Sequence, residues 1–208
     1  VYSDTMTVPE SEVLLAALRA RLPQVPTGLA EHEDYDFDPA AAAVRAAVLL
    51  PLVPGREPSL LLTRRTEQLA RHSGQVSFPG GRAEPADLSP IETALRETME
   101  ETGIAPGFVT VAGYLDRYLT GSGFDIQPVV GVLAEGFALT PDAREVAEIF
   151  QVPLSFLMDP ANRRRETRMW QGRRRSFYAY QWGGHEIWGA TAAIIVRLAD
   201  HIGAISAP

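Results

Sequence analysis

Three carboxylates, Glu97, Glu100 and Glu101, follow a glycine pair, Gly80-Gly81, at three- and four-residue spacings. On a helix that spacing gathers them into one sector, where each like-charged pair costs roughly 0.2–0.5 kcal/mol in water. A solvated acidic face is the common fate of such residues. Two neighbours argue for more. Arg96 flanks the acids and can orient a carboxylate, and the glycines of FPGGRAE let backbone approach a ligand closely. Carboxylate oxygens near a carbonyl suit a hard cation, Mg²⁺ or Mn²⁺, rather than a soft one. A divalent ion turns the repulsion into a binding site.

The element that must carry these acids is well specified. Ser89 is placed to cap a helix, with Glu92 three residues on completing a capping box, Pro90 at the first helical position and Gly103 after the last turn. At roughly 100° per residue, Ile91, Ala94, Leu95, Thr98 and Thr102 form the expected buried stripe, with Met99 at its edge. The three glutamates are expected to point away from it.

Arg96-Glu97-Thr98-Met99-Glu100-Glu101-Thr102-Gly103-Ile104 resembles the second half of the Nudix box, Arg-Glu-x-x-Glu-Glu-x-Gly-aliphatic, and Gly81 resembles its opening glycine. The loop between them is one residue longer than the generic box and has Asp87 where the box has a Glu, so neither Asp87 nor Glu84 is given a metal role. Upstream, LLLTRRTEQLARHSGQVSFPGG is similar to the extra signature of the coenzyme A diphosphatase branch. The matching residues are Leu61, Thr63, Arg65, Leu69, His72, Gly74, Gln75, Val76, Phe78, Pro79, Gly80 and Gly81, with Thr66 replacing the usual small residue or Ser. That branch also tends to carry the longer loop. The resemblance runs from about Ala40 to His201 and is densest from Leu60 to Ile104.

The resemblance implies an α/β/α sandwich around a mixed sheet and metal-dependent hydrolysis of coenzyme A and its derivatives to 3′,5′-ADP and (acyl-)4′-phosphopantetheine. Glu97 and Glu101 are then the principal metal ligands, with Glu100 a third ligand or a contact through water and Gly81 lending a carbonyl. Glu97 or Glu101 can polarise the attacking water, and the competing base is Glu148, with Glu145 as the alternative. The bland reading of Glu148 is a solvated helix or loop carboxylate. Cations are needed for the phosphates, and Arg64 and Arg65 are candidates. Strand alternation turns them to opposite faces, which favours one of them, Arg65. Further contacts are expected from Gly80, from His72, which can bind phosphate or hold the Gly74-Gln75 loop, and from Gln75, which can equally brace that loop. Alternative substrates are ADP-ribose, dinucleotides or nucleoside triphosphates. A ligand-sensing or RNA-binding module without catalysis is the rival outside enzymes.

The remaining chain fits one domain. It has 208 residues, no cysteine and a net charge of −7, so a disulfide framework and a thiolate metal site are excluded and broad nucleic-acid binding is disfavoured. The arginine runs 163–165 and 173–175, with Trp170, Phe177 and Tyr178 among them, are expected to be solvated hairpin faces rather than a nucleic-acid patch. Neither a signal peptide nor a membrane span is expected. The C-terminal ISAP carries no peroxisomal signal, so the expected location is cytoplasmic. A homodimer is left open. SEVLLAALRARL is expected to be helical, within an N-terminal extension and acidic linker over 1–39 that precedes a Nudix-like domain over 40–208. Strands are expected on either side of Pro54-Gly55, in QVSFPGG, in GFVTVAGYLDRYL and in IQPVVGVLAEG. A short helix after Pro153, a hairpin turning near Gln171-Gly172 and a closing amphipathic helix complete the expectation.

Overall fold

The computed structural model describes residues 10–29, 43–67, 74–170 and 173–203. His72, Leu69, the whole acidic segment 31–39 and Gln171-Gly172, where a hairpin turn is expected, lie outside them, as do the side chains of Trp170, Arg173 and Arg175.

Helix α1 (Glu10–Arg19) precedes a hairpin of β1 (Val44–Val53) and β2 (Ser59–Arg65). Two short strands follow, β3 (Val76–Ser77) and β4 (Gly80–Arg82), then helix α2 (Pro90–Thr102). Strands β5 (Val109–Tyr114), β6 (Tyr118–Leu119), β7 (Phe124–Leu133) and β8 (Val146–Pro153) complete the first sheet. The chain ends in α3 (Leu154–Met158), β9 (Arg164–Trp170), β10 (Arg173–Trp182), β11 (His185–Trp188) and α4 (Gly189–Ile202).

The main sheet has eight strands, in the order β3-β2-β1-β7-β5, with β4 on β1, β6 on β7 and β8 on β2. It is mixed, because β1 and β7 run parallel while the other pairs are antiparallel. Strands β9 to β11 form a second, antiparallel sheet. Side chains alternate across a strand, so a central strand covered on both faces reads as an unbroken apolar run. β1 and β2 do this. Leu50, Leu52, Leu60 and Leu62 join Leu14 and Leu18 of α1 and Ile194, Ile195 and Leu198 of α4 in the larger core. Ala47 and Leu49 pack instead with Ala94 of α2, and Leu61 packs with Ile104 and Leu133. The sheet therefore lies between α2 on one face and α1 with α4 on the other, which is the expected α/β/α sandwich.

Two expectations change. The segment EVAEIFQV has no regular apolar alternation, yet it forms β8, whose pairing with β2 runs from Ser59↔Pro153 to Arg65↔Val146. Glu148 is therefore a strand residue directly opposite Arg64. Helix α1 keeps only part of its expected apolar face inside. Leu14 and Leu18 are buried, whereas Val13 is 52% exposed.

Candidate active site

Helix α2 begins and ends as its sequence requires. The Ser89 hydroxyl accepts from the Glu92 N–H at 3.2 Å, and Gly103 takes a left-handed φ of 80° while its N–H donates to Met99. The Glu92 carboxylate reaches back to the Leu88 N–H at 2.8 Å, one residue before the cap. What α2 buries differs from the simple stripe. Thr93 and Glu101 are buried with Ala94, Thr98 and Thr102, whereas Met99 is half exposed. Glu101 therefore does not point away from the packed side. Helix α2 packs on the short strand β4 as well as on the central strand β1, and the β4 contact helps enclose Glu101.

The glycine pair makes that contact. Gly80 has φ of 150°, and a Cβ there would run into the Ala47 carbonyl and the Val48 backbone. The close approach lets the Gly80 N–H donate to Glu101 Oε2 at 3.2 Å. A Cβ on Gly81 would lie 2.5 Å from the Glu97 carboxylate carbon. The absent side chains leave room for the two carboxylates.

Glu101 is 4% exposed. Burial raises its pKa to about 8 against the pull of Arg65 and the Gly80 N–H, and the charges of Glu97 and Glu145 add to the rise. Burial also raises the Glu97 pKa, opposed by Arg96. Arg65 reaches Glu101 Oε1 at 3.5 Å through one terminal nitrogen and Glu145 Oε2 at 3.7 Å through the other. Its Nε is buried without a hydrogen-bond partner.

Arg96 is a brace. It grips Asp87 with two hydrogen bonds of 3.1 and 2.9 Å, donates to the Arg82 carbonyl at 3.0 Å and meets Glu97 at 3.0 Å. Hydrogen bonds from Arg96 hold the Asp87 carboxyl well below the usual range. Asp87 thus ties the β4–α2 loop to the helix through Arg96. Glu100 stands at the rim, its side chain 59% exposed and 3.4 Å from Arg96.

The donor set suits a hard divalent cation. Glu97 and Glu101 are oxygen donors, largely and almost wholly buried, and that burial favours their protonated forms when no cation is bound. Among the described residues, however, no three Asp, Glu or His side chains converge tightly enough to hold an ion by themselves. Glu97 and Glu101 could supply two donors to such an ion, and any others would have to come from backbone, substrate, water or the rim acids.

Strand alternation separates the remaining candidates. Arg65 turns to the α2 face. Arg64 turns to the other face, where its Nε donates to Glu148 Oε2 at 3.2 Å. Glu148 Oε1 lies 3.5 Å from His185 Nε2. Glu145, the alternative base, stands beside the buried glutamates, whereas Glu148 does not. Arg64 and Gln75 line a separate cavity of ≈ 390 Å³ with His185 and Trp188. Reading the sequence missed His185 and Trp188, because they come from β11, more than 100 residues from Gln75, and no local pattern announces the contact.

A family model described as NUDIX domain matches residues 43–171, a span that includes β1 to β9. The chain belongs to the Nudix family. A protein named uncharacterized Nudix hydrolase NudL from Photorhabdus laumondii is 43% identical over 76% of this chain and 84% of its own length. The NudL of Yersinia enterocolitica is 41% identical over 78% and 84%. The NudL of Yersinia pestis strain Pestoides F is 38% identical over 88% and 89%. Among solved structures, DR0079 from Deinococcus radiodurans is 14% identical with a TM-score of 0.49, covering 78% of this chain and 88% of that one. As a Nudix hydrolase the chain acts on pyrophosphate bonds of small molecules, and enzymes of this family generally use divalent metal ions. No helix among the described residues is long and apolar enough to cross a membrane.

Proposed function

We propose that this Nudix hydrolase cleaves the diphosphate of coenzyme A and its derivatives, giving 3′,5′-ADP and (acyl-)4′-phosphopantetheine, with Mg²⁺ or Mn²⁺ as cofactor. One observation carries the reading. The signature upstream of the box and the glutamate helix meet at a single carboxylate, where Arg65 and the Gly80 N–H both reach Glu101. The stretch that resembles the coenzyme A diphosphatase branch is therefore physically part of the acidic site.

Glu97 and Glu101 would hold the ion, with Glu100 reaching in from the rim and Gly81 offering its carbonyl. A bound divalent ion supplies water activation and neutralises pyrophosphate charge. The chain's own groups do the rest. Arg65, held between Glu101 and Glu145, offers the terminal edge of its guanidinium to phosphate oxygens. Glu145 is the better-placed base, because it shares Arg65 with Glu101, whereas Glu148 is occupied by Arg64 and His185. Arg96 and Asp87 keep the loop and helix in register, so that water and phosphorus meet fixed groups.

The division into an N-terminal extension over 1–39, whose α1 packs into the main core, and a domain over 40–208, a cytoplasmic location and a homodimer belong to this proposal. The test is incubation of the protein with coenzyme A and either metal, followed by chromatography. Release of 3′,5′-ADP is expected, and its absence removes the substrate claim. ADP-ribose, dinucleotides and nucleoside triphosphates in the same assay then identify which other diphosphate is cut. If Glu101→Gln left every function intact, the non-catalytic module would be the better reading.

A further inference from the structure

The cavity on the far side of β2 draws its lining from β2, β3 and β11 and lies at the same sheet end as the buried glutamates. Arg64 and Arg65 are consecutive residues on opposite faces of that strand end, so one serves the cavity and the other the acidic site. Gln75 joins the two, since its carbonyl accepts from the Arg65 N–H at 2.9 Å and the residue lines the cavity. The His185 wall is held from behind by Phe150, stacked at 4.0 Å and 12°, and its Nε2 lies 3.5 Å from Glu148. Trp188 is backed by Phe177 at 5.6 Å.

The charges in this cavity say what it can take. Arg64 is its one lining arginine among the described residues, and the Nε of that arginine is already bound to Glu148. Glu67 and Glu186 line the same space. A phosphate placed there would meet Glu67, Glu186 (3.9 Å from Arg164) and a guanidinium whose Nε is held by Glu148, a lining with no cation left uncompensated for it, which is unfavourable in a partly enclosed site. A neutral chain with amide N–H donors and carbonyl acceptors meets the reverse. Carboxylates and the Gln75 amide accept, Arg64 and Gln75 donate, and the His185 and Trp188 rings cover apolar carbons.

We propose that the cavity bounded by Arg64, Gln75, His185 and Trp188 receives the neutral, amide-bearing pantetheine arm of the substrate and excludes its phosphorylated nucleoside half. This rests on the coenzyme A reading. The substrate then straddles the end of β2, with its diphosphate on the α2 face and its arm turned over the strand end.

The test compares three substrates in the wild type, Trp188→Ala and the milder Glu186→Gln. They are coenzyme A, dephospho-coenzyme A and the methyl ester of 3′-phospho-ADP, which keeps the diphosphate and nucleoside but lacks the arm. The ratio of kcat/KM for either arm-bearing substrate to that for the methyl ester should fall at least tenfold in Trp188→Ala and several-fold in Glu186→Gln. An unchanged ratio overturns the assignment. So does a loss seen with coenzyme A but not with its dephospho form, which would place the phosphate in the cavity. Free pantetheine is tested separately, as saturable quenching of tryptophan fluorescence that Trp188→Phe removes. Quenching in a wild type that leaves coenzyme A intact removes the diphosphatase reading and keeps the cavity assignment. Absence of quenching overturns the cavity assignment whatever the activity.

Discussion

Glu101 carries the largest electrostatic tension at the residue scale. Its carboxyl has an ordinary pKa of 4.5 in the unfolded chain and about 8 in the fold, so between those values the folded state keeps a proton that the unfolded state has lost. Stability of the metal-free protein must then fall as pH rises from about 4.5 to 8, by on the order of 5 kcal/mol at most. Glu101→Gln removes the titration. In EDTA its melting temperature should exceed the wild type's at pH 8 and match it near pH 4.5, while metal-dependent hydrolysis is lost. Calorimetry across that range would sink the idea if the two curves ran parallel. The same scale separates the two candidate bases. Glu145→Gln should lower kcat roughly a hundredfold or more, within the range of a lost general base. Glu148→Gln should leave kcat within a few-fold and act on KM through Arg64. Equal losses in kcat from both would mean that position relative to Glu101 does not choose the base.

At the scale of elements, the site depends on how closely β4 lies against β1 and α2. Gly80 permits this, since a Cβ there would come within 2.6 Å of Val48 Cα in a backbone conformation that side chains rarely adopt. Gly80→Ala should therefore cost about 1–3 kcal/mol in chemical denaturation. It should also weaken Mn²⁺ binding, measured by calorimetric titration, because the displaced strand takes its N–H away from Glu101. Stability lost with metal affinity unchanged would show that β4 supports the fold and not the carboxylate. Local signals forecast the ends of α2 correctly, through Ser89, Pro90 and Gly103, because caps depend on neighbours in sequence. They misjudged its buried side. A single 100° stripe assumes one packing surface, whereas α2 meets both β1 and the short β4, whose Gly80 N–H reaches Glu101.

At the scale of the whole molecule, α1 sits in the main core. Leu18 is fully buried in the cluster that also holds Leu50, Leu62 and Ile195. Leu18→Ala should cost about 2–5 kcal/mol and shift one cooperative unfolding transition. If the N-terminal segment were an independent extension, the main transition would stay where it is. Strand β8 also belongs to this scale. Its sequence lacks alternation because its register with β2 sets its faces, and that register decides that Glu148 meets Arg64 while Glu145 meets Arg65.

The sequence by itself determined the chemistry on offer: a capped helix with three acids, a glycine pair before it, and two arginines on alternating faces of one strand. These follow from backbone periodicity and local hydrogen bonding, which act over a few residues. Only the tertiary structure decided which acid is buried, which distant glutamate joins it and where a second cavity opens. Those outcomes depend on strand register and on contacts between segments dozens of residues apart, and desolvation is a property of the packed whole.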